Sequence, residues 1–273
     1  MPTPADQGGC QLAGGLRRKL AAGETVLGSW LTFAEPAVAE IMARAGFDWL
    51  TIDMEHSALT LSQAQELIRV IDLCGVPALV RLPGHDPALI KRVLDAGAAG
   101  IIAPMVNSAA EAAAVVAAAK YPPDGRRSVG LARAQRYGPG FEAYVAAAHE
   151  TIVFVQIEHV DAVRDLDAIL SVRGIDGLLV GPYDLTASMG IAGRFDDPAY
   201  AAALARIVTV ARDKGIPAGL HSVPPDPAGV LQRVREGFQV VAYSVDFLFL
   251  GETCRQGVTH IRASIGSSRV PRG

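Results

Sequence analysis

Eight short apolar runs recur along the chain, each followed by a stretch of helical patterning. They are VLGSWL (26–31), WLTIDM (49–54), ALVRL (78–82), GIIAPM (100–105), IVFVQI (152–157), GLLVGP (177–182), PAGLHS (217–222) and VVAYSV (240–245). Continuous apolar strands bounded by turns indicate a sheet buried on both faces, the situation of a parallel sheet. The spacing predicts helices over 36–45, 62–74, 87–96, 108–120, 160–170, 198–214 and 227–236. Several open on Asp, Ser or Pro and close on Gly, the usual capping asymmetry. The return from helix to strand repeats with a glycine in ARAGFDWL, DLCGVPAL, LDAGAAGI, RDKGIPAG and VREGFQVV. Such a glycine suits the left-handed position just past a helix end. The expected fold is therefore a single-domain α/β structure, a (β/α)8 TIM barrel. A doubly wound sheet shares the alternation, but eight near-equal units and the lack of GxGxxG after the first run weigh against it. Residues 1–15 read as a flexible arm, 16–264 as the barrel and 265–273 as a flexible tail.

Composition narrows the function. Half of the 273 residues are hydrophobic, which excludes disorder of the whole chain. A net charge of −3 argues against binding along a nucleic-acid backbone. Three scattered cysteines, Cys10, Cys74 and Cys254, with no CxxC suit a reducing cytoplasm rather than a disulfide scaffold. No secretory signal and no apolar run long enough for a membrane span are seen.

In a TIM barrel the chemistry gathers where the strands end. The residues there are Asp53, Glu55 and His56 after the second run, Arg81 after the third, and Gln156, Glu158 and His159 after the fifth. Gly181, Pro182, Tyr183 and Asp184 follow the sixth, His221 the seventh, and Ser244 and Asp246 the eighth. Glu158 and Asp184 on adjacent strands make a hard-oxygen pair suited to Mg²⁺ or Mn²⁺, with water and substrate completing the shell. Alternatively each caps a following helix, Asp184 before LTASMG being a fair N-cap. Arg81 at an inner strand end needs an anion, either a substrate carboxylate or Glu55. Asp53 beside His56 would orient the imidazole and raise its basicity, as a general base needs. The four lysines, Lys19, Lys91, Lys120 and Lys214, all fall in or beside helical stretches, which disfavours an imine-forming aldolase. No G-x-S-x-G and no P-loop occur. The long segment 122–140, with Arg126, Arg127, Arg133 and Arg136, reads as a basic loop or one reaching a neighbouring subunit's mouth.

Together, AGFDWLTIDMEH (45–56), VPALVRLPGHDPALIKRVLDAGAAGIIAPMV (76–106), YPPDGRRSVGLARAQRYG (121–138), VQIEH (155–159) and GLLVGPYDLTASMG (177–190) resemble the HpcH/HpaI aldolases. These are metal-dependent class II pyruvate aldolases of the 4-hydroxy-2-oxoheptanedioate aldolase type. The resemblance spans about 24–262. It implies reversible cleavage of a 4-hydroxy-2-oxo acid to pyruvate and an aldehyde. It further implies Glu158 and Asp184 as ligands of Mg²⁺, Mn²⁺ or Co²⁺, and His56 backed by Asp53 as the acid/base dyad. Arg81 would bind pyruvate and steady its enolate, Gly181, Pro182 and Tyr183 would face the pyruvate carboxylate, and Trp30 would line the aldehyde pocket. A homohexamer, a trimer of dimers with the eighth helix exchanged between neighbours, is implied as well. The chain departs from the pattern at Met54, Ser57, Tyr183, His221 and Arg136. A bulky Tyr183 and a polar His221 point the acceptor toward a hydroxyaldehyde rather than succinate semialdehyde. Two other readings stand beside this one: a CoA-thioester lyase of the citrate lyase β branch, which DMEH at 53–56 disfavours, and a non-catalytic barrel.

Overall fold

The computed structural model describes residues 9–267. Eight parallel strands close into a barrel in chain order: β1 Val26–Leu31, β2 Trp49–Asp53, β3 Ala78–Arg81, β4 Gly100–Ala103, β5 Ile152–Ile157, β6 Gly177–Val180, β7 Ala218–Ser222 and β8 Val240–Val245. The helices are α1 Gly9–Ala21, α2 Pro36–Ala43, α3 Leu61–Leu73, α4 Pro87–Asp95, α5 Ala109–Ala119, α6 Phe141–Ala147, α7 Val160–Arg164 and α8 Leu166–Ile169. They continue with α9 Pro182–Ser188, α10 Pro198–Lys214, α11 Pro227–Arg235 and α12 Asp246–Ser267. Local sequence sets many of the starts. Asp86, Asp197 and Asp226 each cap a helix whose first residue is Pro, and Thr60 and Gln63 form a capping box on α3. The stretch expected as one helix over 160–170 divides into α7 and α8 at Asp165.

The core has two compartments. Outside the barrel, strand residues such as Ile52, Val80, Ile101, Val155 and Val180 pack against the helices. Inside lie Trp30, Trp49, Leu79, Ile102, Phe154, Leu179 and Ala242. The inner compartment also holds Ala13, Leu16 and Leu20 of α1. The expected arm over 1–15 is therefore corrected: from Gly9 onward the chain is helix, and α1 closes the end of the barrel where the strands begin. Its buried residues Cys10, Ala13, Leu16 and Leu20 recur at helical spacing. The expected tail is corrected likewise, because α12 runs past residue 264 to Ser267. Residues 1–8 of the arm and 268–273 of the tail lie outside the described residues.

The alternation of a strand positions the site. Two residues beyond Leu79 comes Arg81, beyond Leu179 comes Gly181, and beyond Phe154 come Gln156 and then Glu158. Side chains on one strand face repeat every second residue, so the inward row that fills the core continues into polar groups at the mouth.

Candidate active site

Asp53 and Arg81 are direct partners in the β2–β3 register. Arg81 Nε donates to Asp53 Oδ1 at 2.9 Å and Nη2 to Oδ2 at 2.6 Å, a bidentate pair. Arg81 Nη1 also lies 3.3 Å from Glu55 Oε2, and the guanidinium sits 4.3 Å from the centre of the Trp30 ring. The anion that Arg81 needed is thus chiefly Asp53, with Glu55 second. Burial alone would raise the Asp53 pKa, but the hydrogen bonds and charge of Arg81, with two main-chain N–H groups, hold it below the ordinary carboxylate range. Burial raises Glu55 instead, against the charge of Arg81.

The acid/base pair differs from its expected form. Asp53 Oδ1 accepts the main-chain N–H groups of Glu55 and His56, at 3.0 and 3.2 Å. The carboxylate beside the ring is Glu55, its Oε2 3.8 Å from His56 Nε2. Asp53 therefore orients His56 through the backbone, because its side chain is committed to Arg81. The His56 side chain is 64% exposed and stands at the rim.

Glu158 is buried. Its Oε1 accepts the Met105 N–H at 2.7 Å and its Oε2 the Gln156 amide at 2.9 Å. Met105 takes φ of 48° to aim that N–H. Burial pushes the Glu158 carboxyl up to about 7, the Met105 bond opposing and the nearby Glu55 and Asp184 charges adding to it. A Cβ at Gly181 would overlap Glu158 Oε2, so glycine there keeps that oxygen open. Asp184 stands in the first turn of α9; the N-cap position belongs to Gly181, which corrects the capping alternative.

These groups share one cavity of about 390 Å³, lined by Trp30, Asp53, His56, Arg81, Glu158, Gly181, Pro182, Tyr183, Asp184 and His221 among others. Every residue singled out at the strand ends for catalysis, substrate or metal reaches this mouth. The contribution of Met105, through its main chain, was missed, and Gln156, named at the end of the fifth strand, was given no role. A backbone donor has no signature in residue type, whereas Gln156, two residues before Glu158 on the inward row, was legible. A larger cavity of about 860 Å³ opens at the opposite end beside α1, but of its acids Asp176 and Glu150 pair with Arg17 and Glu236 with Arg233, and the mouth groups are absent from it. The basic loop is also anchored away from the mouth. Arg127 Nη2 bonds Asp95 at 2.6 Å and Arg133 Nη2 bonds Asp72 at 2.5 Å, at the helix ends preceding the strands.

Among the described residues no cluster of three or more His, Cys, Asp or Glu forms a ready-made metal cage. Two carboxylates remain, one of them buried and bonded only to amides. That donor set fits a hard divalent cation whose other positions go to water and substrate oxygens.

A family model described as HpcH/HpaI aldolase/citrate lyase matches residues 27–250. The 4-hydroxy-2-oxovalerate aldolase of Novosphingobium aromaticivorans is 40% identical over 251 residues, covering 90% of this chain and 93% of that protein. The hydroxypyruvate/pyruvate aldolase of Roseovarius nubinhibens is 41% identical over 245 residues, covering 87% and 92%. A crystal structure of an HpcH/HpaI aldolase from Desulfitobacterium hafniense superposes with a TM-score of 0.86 at 34% identity, covering 94% of this chain and 98% of that one.

Proposed function

The chain belongs to the HpcH/HpaI aldolase/citrate lyase family, and from that premise we propose a class II pyruvate aldolase with His56, Arg81, Glu158 and Asp184 as its working residues. The enzyme is a carbon–carbon lyase that reversibly cleaves 4-hydroxy-2-oxo acids to pyruvate and an aldehyde. The observation that carries the residue assignment is the convergence of Arg81, bound by Asp53, with Glu158 and Asp184 on one cavity.

Glu158 and Asp184 would hold a divalent cation, Mg²⁺, Mn²⁺ or Co²⁺, for which the amide-only bonding of Glu158 is the support. When bound, that ion acidifies the methyl group of a 2-oxo acid by drawing electrons from its oxygens. His56 takes the C3 proton at Nε2, with Glu55 steadying the charge the ring then carries. Arg81, fixed by Asp53 on one edge and Trp30 on its face, presents its remaining N–H groups to the negative charge developing on the keto oxygen. Gly181 and Tyr183 offer N–H groups to the pyruvate carboxylate; Pro182 has none and shapes the turn as the first residue of α9. The carbon nucleophile attacks the aldehyde, whose oxygen takes up one proton, and cleavage runs the steps in reverse.

A homo-oligomer, a hexamer built as a trimer of dimers, belongs to the same proposal. Its support is α12, which leaves Phe247, Leu250, Val258, Ile261 and Ile265 exposed. A cytoplasmic setting fits the three free cysteines. Among the described residues no helix is long and apolar enough to cross a membrane.

The test is exchange of pyruvate methyl protons in D₂O, followed by NMR with and without Mg²⁺. It requires no aldehyde. Exchange that depends on the ion, ceases with EDTA and is lost in His56→Ala is expected. A folded protein showing no exchange with any divalent ion overturns pyruvate as the donor.

A further inference from the structure

We infer that the cavity at the end of the barrel where the strands begin binds an organic diphosphate, at a site separate from the mouth. Its volume of about 860 Å³ is that of a pocket for a small metabolite. Helix α1, the turns leading into β6, β7 and β8, and the ends of α10 and α11 enclose it. Leu20, Ile175 and Ala218 are buried and Val208 and Ile216 half-buried, so its floor is apolar. Three exposed arginines border it: Arg18 in the last turn of α1, Arg212 in that of α10 and Arg235 in that of α11.

The acids of this cavity are all taken by other cations. Asp176 and Glu150 pair with Arg17, and Asp176 Oδ2 also accepts the Val153 N–H at 2.8 Å. Glu236 pairs at 2.6 Å with Arg233, which does not line the cavity. Among the described residues no carboxylate pairs with Arg18 or Arg235, and Arg212 meets only its neighbour Asp213, at 3.9 Å on the surface. The Gln239 amide lines the same space and makes no hydrogen bond among the described residues. A cation in the last turn of a helix suits the helix dipole, and one such arginine would carry no further meaning. Here three, from helices far apart in sequence, border one concavity. A concave site lined by one sign of charge over low-dielectric walls concentrates the potential and draws in the opposite charge.

The chemistry of the ligand follows from the two parts of the wall. Guanidinium groups bind phosphate oxygens in pairs, and several of them around one space match the charge that a diphosphate concentrates on few atoms. The apolar floor suits a flat or hydrocarbon body attached to that head. Neither part alone would select such a molecule. An inorganic anion leaves the floor uncovered, and an uncharged ring leaves the arginines to water.

The experiment is calorimetric titration of the full-length protein, without added metal, by ADP, adenosine, inorganic diphosphate and citrate. ADP should bind with a Kd below about 1 mM. It should weaken as NaCl rises from about 0.05 to about 0.3 M, and it should exceed adenosine and diphosphate by about tenfold or more each. Arg18→Gln with Arg235→Gln should weaken ADP by about tenfold or more, and the corresponding pair of Lys substitutions should recover part of the loss. Pyruvate methyl exchange in Mg²⁺ should be the same in the Gln pair as in the wild type, since neither arginine lies at the mouth. No binding of ADP at about 1 mM, or binding that survives the Gln pair in a folded protein, overturns the inference. Diphosphate as tight as ADP overturns the part assigned to the floor, and citrate tighter than ADP overturns the choice of phosphate. Loss of exchange together with binding overturns the separation from the mouth. If the Gln pair does not fold, Arg18→Gln and Arg235→Gln are tested singly, and wild-type affinity in both overturns the inference equally.

Discussion

Asp53 is a buried carboxylate that the fold keeps charged, and its value to stability follows from that. Its folded pKa lies below the unfolded one because Arg81 and two N–H groups outweigh its burial. Such a group stabilises the fold fully above its unfolded pKa of about 3.9 and loses that contribution as pH falls through the lower folded value. Asp53→Asn should therefore cost about 3 kcal/mol at pH 7 by urea denaturation, since it strands Arg81. The gap between variant and wild type should stay level down to about pH 5 and close below about pH 4. A gap that persists undiminished into acid would remove Asp53 as the source. Glycine 181 makes a second residue-scale prediction. Gly181→Ala would drive a methyl into Glu158 Oε2, so Mn²⁺ affinity by calorimetry should fall about 10–100-fold with the fold intact by circular dichroism. An unchanged affinity would place the ion elsewhere. Residue types at the strand ends were legible because the inward row must end in something, and at a TIM-barrel mouth that is chemistry. Their pairing was not. D-x-x-H suggested that Asp53 meets the His56 ring, but the β2–β3 register places Asp53 opposite Arg81 and decides the contest.

At the level of elements, the eight strands could be read directly, because a parallel sheet buried on both faces writes itself as continuous apolar runs. Helix α1 could not. GCQLAGGLRRKLA is rich in glycine and polar residues, and its apolar members matter only once there is a barrel end to close. The signal was the spacing of Cys10, Ala13, Leu16 and Leu20, too sparse to outweigh three glycines without tertiary context. Leu16 and Leu131 make the point testable. Leu16 is 3% exposed in the inner core, and Leu131 is 68% exposed in the basic loop. Leu16→Ala should cost about 3 kcal/mol, whereas Leu131→Ala should stay within about 0.5 kcal/mol. Equal costs in chemical denaturation would mean that α1 does not seal the barrel in solution. The same dependence on context splits the helix expected over 160–170 at Asp165, whose carboxylate accepts the N–H of Ala109 on α5.

For the molecule as a whole, α12 is the element that the single chain leaves unfinished. Its 22 residues extend about 33 Å at 1.5 Å per residue. Phe247, Leu250, Cys254, Val258, Ile261 and Ile265 recur at intervals of three and four, so one apolar stripe runs its length, and all six are exposed. In the proposed hexamer, that stripe is the surface a neighbouring chain would cover. The barrel's own core is complete without it, so its cost in water is set against assembly rather than folding. Light scattering of the purified protein should give a mass near six times the 28.6 kDa of one chain. Val258→Asp with Ile261→Asp places two charges in the stripe without touching the barrel interior. That double variant should remain folded and shift to a smaller species. A wild-type mass of one chain at micromolar concentration would overturn the oligomer. A large assembly that survives both charges would instead assign the interface to another surface and leave α12 uncovered.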